Sequence, residues 1–195
     1  MHDLEILRQV GKLHAENLDQ GFLSTLGENF LFLMYRAIDE SDSAVLVVER
    51  CKRGVSGFVS GGDSMSLIYR QMLRHWPQLI ASLAPSLINP IKFWRILEIL
   101  LYSRREDKLD GLPRFELLSI AVDREYRGRG VSDRLYESLI DHCRSMNAPA
   151  FKIIVGEALL PAHRFYRRLG AEVVGEVYVH GDQRSLIYQQ SMGGC

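Results

Sequence analysis

The stretch that most constrains the fold of this chain runs from Phe115 to Ser132, FELLSIAVDREYRGRGVS. Leu117 to Val122 is a nearly unbroken apolar run, the pattern of a strand covered on both faces. Arg127-Gly128-Arg129-Gly130-Val131-Ser132 follows, and then Leu135, Leu139 and Ile140 recur at helical spacing. Glycines at such a turn let backbone N–H groups approach a ligand without interference from a Cβ. The first turn of the helix adds unpaired donors and the positive end of its dipole, so the stretch reads as a phosphate cradle. It is not a P-loop, because no Lys-Ser/Thr pair closes it, and its glycines do not fit GxGxxG. Taken alone, the same residues also describe an ordinary strand-turn-helix link with two solvated arginines.

At 195 residues the default is one domain, 1–195, with a substantial core. Apolar residues make up 47% and charged residues 25%, ordinary for a soluble globular protein. Lys plus Arg and Asp plus Glu both number 24, so the charge balance argues against a nucleic-acid partner, and RGRG is too short to count as a basic tract. Cys51, Cys143 and Cys195 are scattered and odd in number, which implies neither a disulfide framework nor a metal site. The start, MHDLEILRQV, is no signal peptide, and no apolar run reaches membrane-spanning length; a cytoplasmic location is expected.

Asp3 can cap a first helix bearing Leu4, Leu7, Val10 and Leu13, and after a break at Gly21 a second helix centres on Phe30 to Ile38. Ala44–Val48 and Val55–Val59 read as strands of a hairpin turning at Lys52-Arg53-Gly54. Met65, Leu67, Ile68, Met72, Leu73 and Trp76 suggest one amphipathic helix that Pro77 interrupts or restarts, with Pro85 and Pro90 bracketing a break. A further helix is expected over Ile91–Leu101, closed by the charge cluster Arg104 to Lys108. After the central strand and its helix, through about Arg144, come a strand over Phe151–Val155 and a helix from about Pro161 to Leu169 that Gly170 ends. Val173–Val179 and Ser185–Gln190 form a terminal hairpin around Gly181-Asp182. The layout is mixed α/β.

Arg127, Gly130 and, imperfectly, Ser132 resemble motif A of the GNAT superfamily of acyl-CoA N-acyltransferases, [RQ]-x-x-G-x-[GA]. Ala162-His163-Arg164-Phe165-Tyr166-Arg167-Arg168-Leu169-Gly170-Ala171 resembles the A-x-x-[FL]-Y-x-x-x-G-F signature that follows the family's fifth strand. Two signatures in order, with a strand between, are far more specific than either alone. The resemblance implies an α/β fold: a central mixed sheet with a splayed pair of parallel strands and helices on both faces. Three departures accompany it. Almost no room is left for a strand before the first helix; Leu159 stands where many relatives have Asn; and about 64–110 forms a helical insertion between the family's third and fourth strands.

The resemblance further implies transfer of an acetyl group from acetyl-CoA, or a related acyl-CoA, to a primary amine by direct attack. The diphosphate would lie on Arg127, Gly128, Arg129, Gly130, Val131 and Ser132, and the pantetheine arm along Ile120, Ala121 and Val122, with Phe165 and Tyr166 beside it. Arg129 is equally readable as a solvent-facing spectator. Glu116 matches the general-base position of histone-type relatives; otherwise it is a strand-end carboxylate facing solvent or pairing with Arg114. Tyr166 matches the tyrosine that protonates the departing thiolate; otherwise it is a packed aromatic whose hydroxyl is bonded elsewhere. His163 is expected at the surface, His75 is no ligand, Asp63 is a weak candidate for the acceptor pocket, and Cys143 has no adjacent base for an acyl-cysteine route. The insertion is read first as a cap on the acceptor site, second as a homodimer contact and third as a membrane-surface contact. The acceptor would be a small molecule or a peptide amine. A non-catalytic acyl-CoA sensor or interaction module is the competing function.

Overall fold

A computed structural model describes residues 1–18, 22–87, 111–179 and 183–192. The expected helix over 91–101, the 104–108 cluster and the 181–182 turn lie outside the described residues. Helix α1 (Leu4–Asn17) is capped by the Asp3 carboxylate, which accepts from the Glu5 N–H. Its buried stripe of Ile6, Leu7, Val10, Leu13 and His14 lies against α2 (Glu28–Asp39). Strands β1 (Ala44–Cys51) and β2 (Gly54–Gly62) form the antiparallel hairpin. No strand precedes α1 among the described residues, so the inserted segment follows the chain's second strand.

The insertion opens with α3 (Met65–Met72), passes through a 3-10 turn at Leu73–His75 and continues as α4 (Trp76–Leu87). The single amphipathic helix expected through Trp76 is thus broken at Leu73. Ile68 and Met72 are buried, but Leu73 and Trp76 are about 60% exposed, because the tighter turn rotates them off the apolar stripe. Helix α4 is described to Leu87, and most of the stretch bracketed by Pro85 and Pro90, where a break is expected, lies outside the described residues.

Strand β3 (Glu116–Val122) leads through a 3-10 turn (Arg124–Tyr126) into α5 (Val131–Ser145). Strand β4 (Ala150–Gly156), helix α6 (Leu160–Arg168) and strands β5 (Glu172–Val179) and β6 (Gln183–Ser191) complete the fold. The sheet order is β1-β2-β3-β4-β6-β5. Helices α1 and α2 cover one face, packed on Phe58 and Ala121; α5 and α6 cover the other, over Val59, Leu117, Phe151, Ile153 and Val155. Helix α5 lies close because β2 presents Gly57 and Gly61 to it. A Cβ at Gly57 would stand 2.9 Å from Val131, and one at Gly61 would stand 2.6 Å from the Phe115 ring. Val131, Leu135, Leu139 and Cys143 are buried there, each large apolar side chain contributing roughly 1.5–3 kcal/mol.

Two features of β3 shape the centre of the molecule. Ser60 faces Ser119 and Gly61 faces Leu117, so Leu118 is an extra residue, a β-bulge. The bulge re-phases the strand: Leu117 and Ile120 share the α5 face, while Leu118 and Ala121 pack on the α1–α2 side. Strands β3 and β4 are parallel, and they pair only at Glu116–Lys152 and Leu117–Ile153. Beyond the bulge they part, leaving a fork between Leu118–Val122 and the end of β4.

Candidate coenzyme and acyl-transfer site

At the open end of the fork lies the glycine turn. Gly128 and Gly130 both have left-handed backbones, φ +74° and +73°, the region in which glycine alone is unstrained. Two arginines clamp the turn from behind. Arg127 donates through Nε to the Val122 carbonyl and through Nη2, at 2.7 Å, to Asn17 Oδ1 on α1. Arg134 bridges Glu49 on β1 and the Arg129 carbonyl, and the Arg134 amide takes the Gly130 carbonyl. In the turn, the carbonyls of Arg129 and Gly130 are therefore engaged. Its amides are not: no described residue accepts a hydrogen bond from the N–H groups of Gly128 through Asp133. Six such donors, three of them in the first turn of a four-turn helix and three just before it, suit a diphosphate. A Cβ at Gly128 would meet nothing within 4 Å, so this surface is open to a ligand.

Beside the turn, Cys51, Lys52, Arg53, Glu125, Tyr126 and Arg129 line an open cavity of about 430 Å³. Arg53 pairs with Glu125 at 3.0 Å, and the Arg129 guanidinium lies 5.4 Å from the centre of the Tyr126 ring. Arg127 thus braces the turn with its side chain, while Arg129 remains exposed on this cationic wall.

Along β3 the Asp123 amide bonds to Ser56 O on β2. By the alternation of a strand, Ala121 also turns its backbone toward β2, whereas Ile120 and Val122 turn theirs to the fork. The Val122 carbonyl is the one that Arg127 takes. At the closed end, Glu116 stands 3.6 Å from Lys152 Nζ, and the buried lysine also donates to the carbonyls of Pro113 and Arg114. The carboxylate is thus held by Lys152, a partner from the neighbouring strand rather than Arg114.

Tyr166 projects from α6 into an aromatic cluster. Its ring centre lies 5.2 Å from Phe165 in a T-shaped contact, 5.9 Å from Tyr136 and 6.1 Å from Tyr188. Burial pushes its hydroxyl well above the ordinary tyrosine range, so it stays protonated. The hydroxyl has no hydrogen-bond partner among the described residues, yet it is not sealed from the surface.

His163 is not at the surface. It is 7% exposed, its Nε2 donates to the Gly156 carbonyl at 3.1 Å, and its Nδ1 lies 2.9 Å from the Tyr188 hydroxyl. On a short helix tucked against β4, the position one turn before Tyr166 faces inward. His75 pairs with Glu40 on α2. Burial lifts the Cys143 thiol to about 11, which leaves it protonated and inert. The α6 N-cap, Leu159, makes no side-chain cap bond, in keeping with the missing Asn. Among the described residues no group of three or more His, Cys, Asp or Glu is placed to hold a metal, and no helix is long and apolar enough to cross a membrane.

Sequence reasoning missed a second polar cluster. His14, Tyr35, Ser119 and Ser60 form a hydrogen-bonded chain: His14 Nδ1 to the Tyr35 hydroxyl 2.6 Å, that hydroxyl to Ser119 Oγ 2.9 Å, and Ser119 Oγ to Ser60 Oγ 2.7 Å. The one available signal was a histidine falling on the apolar stripe of α1, four residues after Val10.

A parallel pair that parts after a bulge, with an amide-rich turn at its open end, is the arrangement that the resemblance carried by the two motifs implies. The acetyltransferase (GNAT) family model matches residues 95–171. Solved structures of the same fold include Ard1 from Thermoplasma volcanium, 14% identical over 97% of this chain and 93% of that one, TM-score 0.59. An aminoglycoside 6'-N-acetyltransferase complexed with coenzyme A is 10% identical over 98% and 92%, TM-score 0.59. A candidate streptothricin acetyltransferase from Bacillus anthracis, solved with acetyl coenzyme A, is 12% identical over 80% and 67%, TM-score 0.52. No curated protein sequence matches the chain. The fold is that of the GNAT acetyltransferases, and the resemblance carried by the two motifs is met both by the family's own model and by this architecture.

Proposed function

We propose that the chain is an acetyl-CoA-dependent N-acetyltransferase acting on a primary amine by direct attack. The observation that carries this reading is the set of amides from Gly128 to Asp133 without acceptors among the described residues, at the mouth of the fork. These donors would hold the coenzyme's diphosphate, with Lys52, Arg53 and Arg129 adding positive charge alongside. The Ile120 N–H and carbonyl and the Val122 N–H, turned to the fork, would steady the pantetheine arm as an added strand does, and Phe165 and Tyr166 would flank it. The coenzyme supplies an activated acyl thioester. Tyr166, neutral and with an unpartnered hydroxyl, keeps a proton for the sulfur that leaves. Glu116, held beside Lys152 at the closed end of the fork, would take the amine's proton through one water. Positioning of amine and thioester by the rigid fork is then the main source of rate, up to roughly 7–11 kcal/mol in favourable cases.

The fold neighbours that bind acetyl-CoA or coenzyme A support the cofactor assignment. A small molecule or a peptide N-terminus both fit as acceptor. The test is calorimetric binding of acetyl-CoA, followed by thiol release in the presence of an amine panel. Gly130→Val should abolish binding, since a β-branched residue is strained at φ +73° and its side chain would crowd the amides. Unchanged affinity would sink the cradle. A second reading, an acyl-CoA-binding module without turnover, draws on the engagement of Glu116 by Lys152. Tight binding with no thiol release across the panel would favour it.

A further inference from the structure

The chain of His14, Tyr35, Ser119 and Ser60 runs through four elements on the α1–α2 side of the sheet. Tyr35 and Ser60 are fully buried and His14 is 5% exposed, but Ser119, beside the bulge on the forked stretch of β3, is only half-buried. Tyr166 lies on the opposite, α5–α6 side. A thioester held in the fork would thus be flanked by a hydroxyl on each face, one of them at the end of a buried relay.

The relay has a direction. Burial lowers the His14 pKa to about 4, so near neutrality its ring is uncharged and one nitrogen is bare. Among the described residues no charged group contacts the ring; its neighbours are the Tyr35 and Phe58 rings. A phenol is the stronger acid and an imidazole nitrogen the stronger base, so the favoured arrangement of this 2.6 Å contact has Tyr35 donating to a bare Nδ1. Tyr35 must then accept from Ser119, and Ser119 in turn accepts from Ser60. The Ser119 proton is committed inward, and one lone pair of its oxygen is left without a partner among the described residues.

We propose that Ser119 Oγ, fixed as an acceptor by Tyr35 and His14, receives a hydrogen bond from the N–H of the attacking amine. This rests on the N-acetyltransferase reading above. Ser119 is the residue that touches the acceptor; Tyr35 and His14 are positioning residues. The contact would leave the nitrogen lone pair aimed across the fork, with the leaving sulfur on the Tyr166 side. It selects acceptors that keep an N–H beside the attacking lone pair, that is, primary and unhindered secondary amines.

The probe is ethylamine with acetyl-CoA and the full chain. The variants compared with the parent are Ser119→Ala and Tyr35→Phe, each read for acetyl-CoA affinity as well as for turnover. Both should lower kcat/KM for ethylamine by about five- to tenfold, the worth of one hydrogen bond, with Ser119→Thr recovering most of it. Nitrogen NMR of the unliganded chain should show His14 protonated at Nε2 and bare at Nδ1. The reverse tautomer overturns the proposal. So does unchanged ethylamine kcat/KM in both variants, an equal loss of coenzyme affinity, or a parent that binds acetyl-CoA but shows no ethylamine-dependent thiol release. Failure of the parent to bind acetyl-CoA at all would instead refute the function on which the proposal rests.

Discussion

Replacing Tyr166 by Phe removes one oxygen and nothing else, and the structure predicts opposite effects on stability and on chemistry. In the folded state that oxygen makes no hydrogen bond to a described residue, although the ring is 95% withdrawn from solvent. Burying an unpaired hydroxyl costs about 1–3 kcal/mol. Residual solvent contact lowers that to roughly 0–1 kcal/mol, so the variant should melt at the parent's temperature or a few degrees higher, at about 2–4 °C per kcal/mol for a chain of this size. The ring contacts with Tyr136, Phe165 and Tyr188 persist, and coenzyme affinity should stay within about twofold. Turnover should fall, because protonation by a positioned acid is worth about 10²–10⁴ in rate, or roughly 3–5 kcal/mol of barrier. The assay pairs calorimetric melting with acetyl-CoA titration and thiol release under saturating amine. A lower melting temperature with unchanged turnover would refute the reasoning, since it would mean that the hydroxyl serves the fold and not the departing sulfur.

Gly61→Ala should destabilise the protein without touching the cradle. Its Cβ would stand 2.6 Å from the buried Phe115 ring and 3.0 Å from Leu139, an overpacking worth about 1–3 kcal/mol and a melting temperature lower by roughly 2–10 °C. Gly128→Ala, with nothing within 4 Å, should show only backbone strain of about 1 kcal/mol. Acid should weaken the fold through His14. The unfolded chain takes up this proton near 6.5 and the native state only near 4, so the stability is complete above 6.5 and is lost as pH falls from 6.5 to 4. The gap corresponds to about 3 kcal/mol. Denaturant melts across that range should be visibly flatter for His14→Gln, and an identical slope would show that the buried ring is not the group responsible.

The two motifs were legible in the sequence because their physics is local. An apolar run, a glycine pair and a helical stripe declare a strand, a turn and a helix within one stretch, and the amides of Gly128 to Asp133 are exposed by that geometry alone. The aromatic pair Phe165-Tyr166 and the stop at Gly170 are local in the same sense. The helix expected through Trp76 failed because the sequence period does not register a tight turn at Leu73 that rotates the exposed side chains. His163 was misplaced because a histidine beside arginines on a short helix looks solvated until β4 and β6 supply a carbonyl and a hydroxyl for its two nitrogens.

What remained for the tertiary structure to decide was everything that joins residues far apart in the chain. Arg127 is tied back to Asn17, Glu116 pairs with Lys152 across the strand pair, and His14 reaches Ser119 through Tyr35. None of these pairings has a periodic signature, because burial and hydrogen-bond satisfaction set them after the layers pack. The chain's own pattern therefore determined where a glycine turn opens into a helix N-terminus. The bulge at Leu118, with the helices stacked on either side, decided which hydroxyl faces which side of the gap, because a one-residue slip in a strand exchanges its two faces.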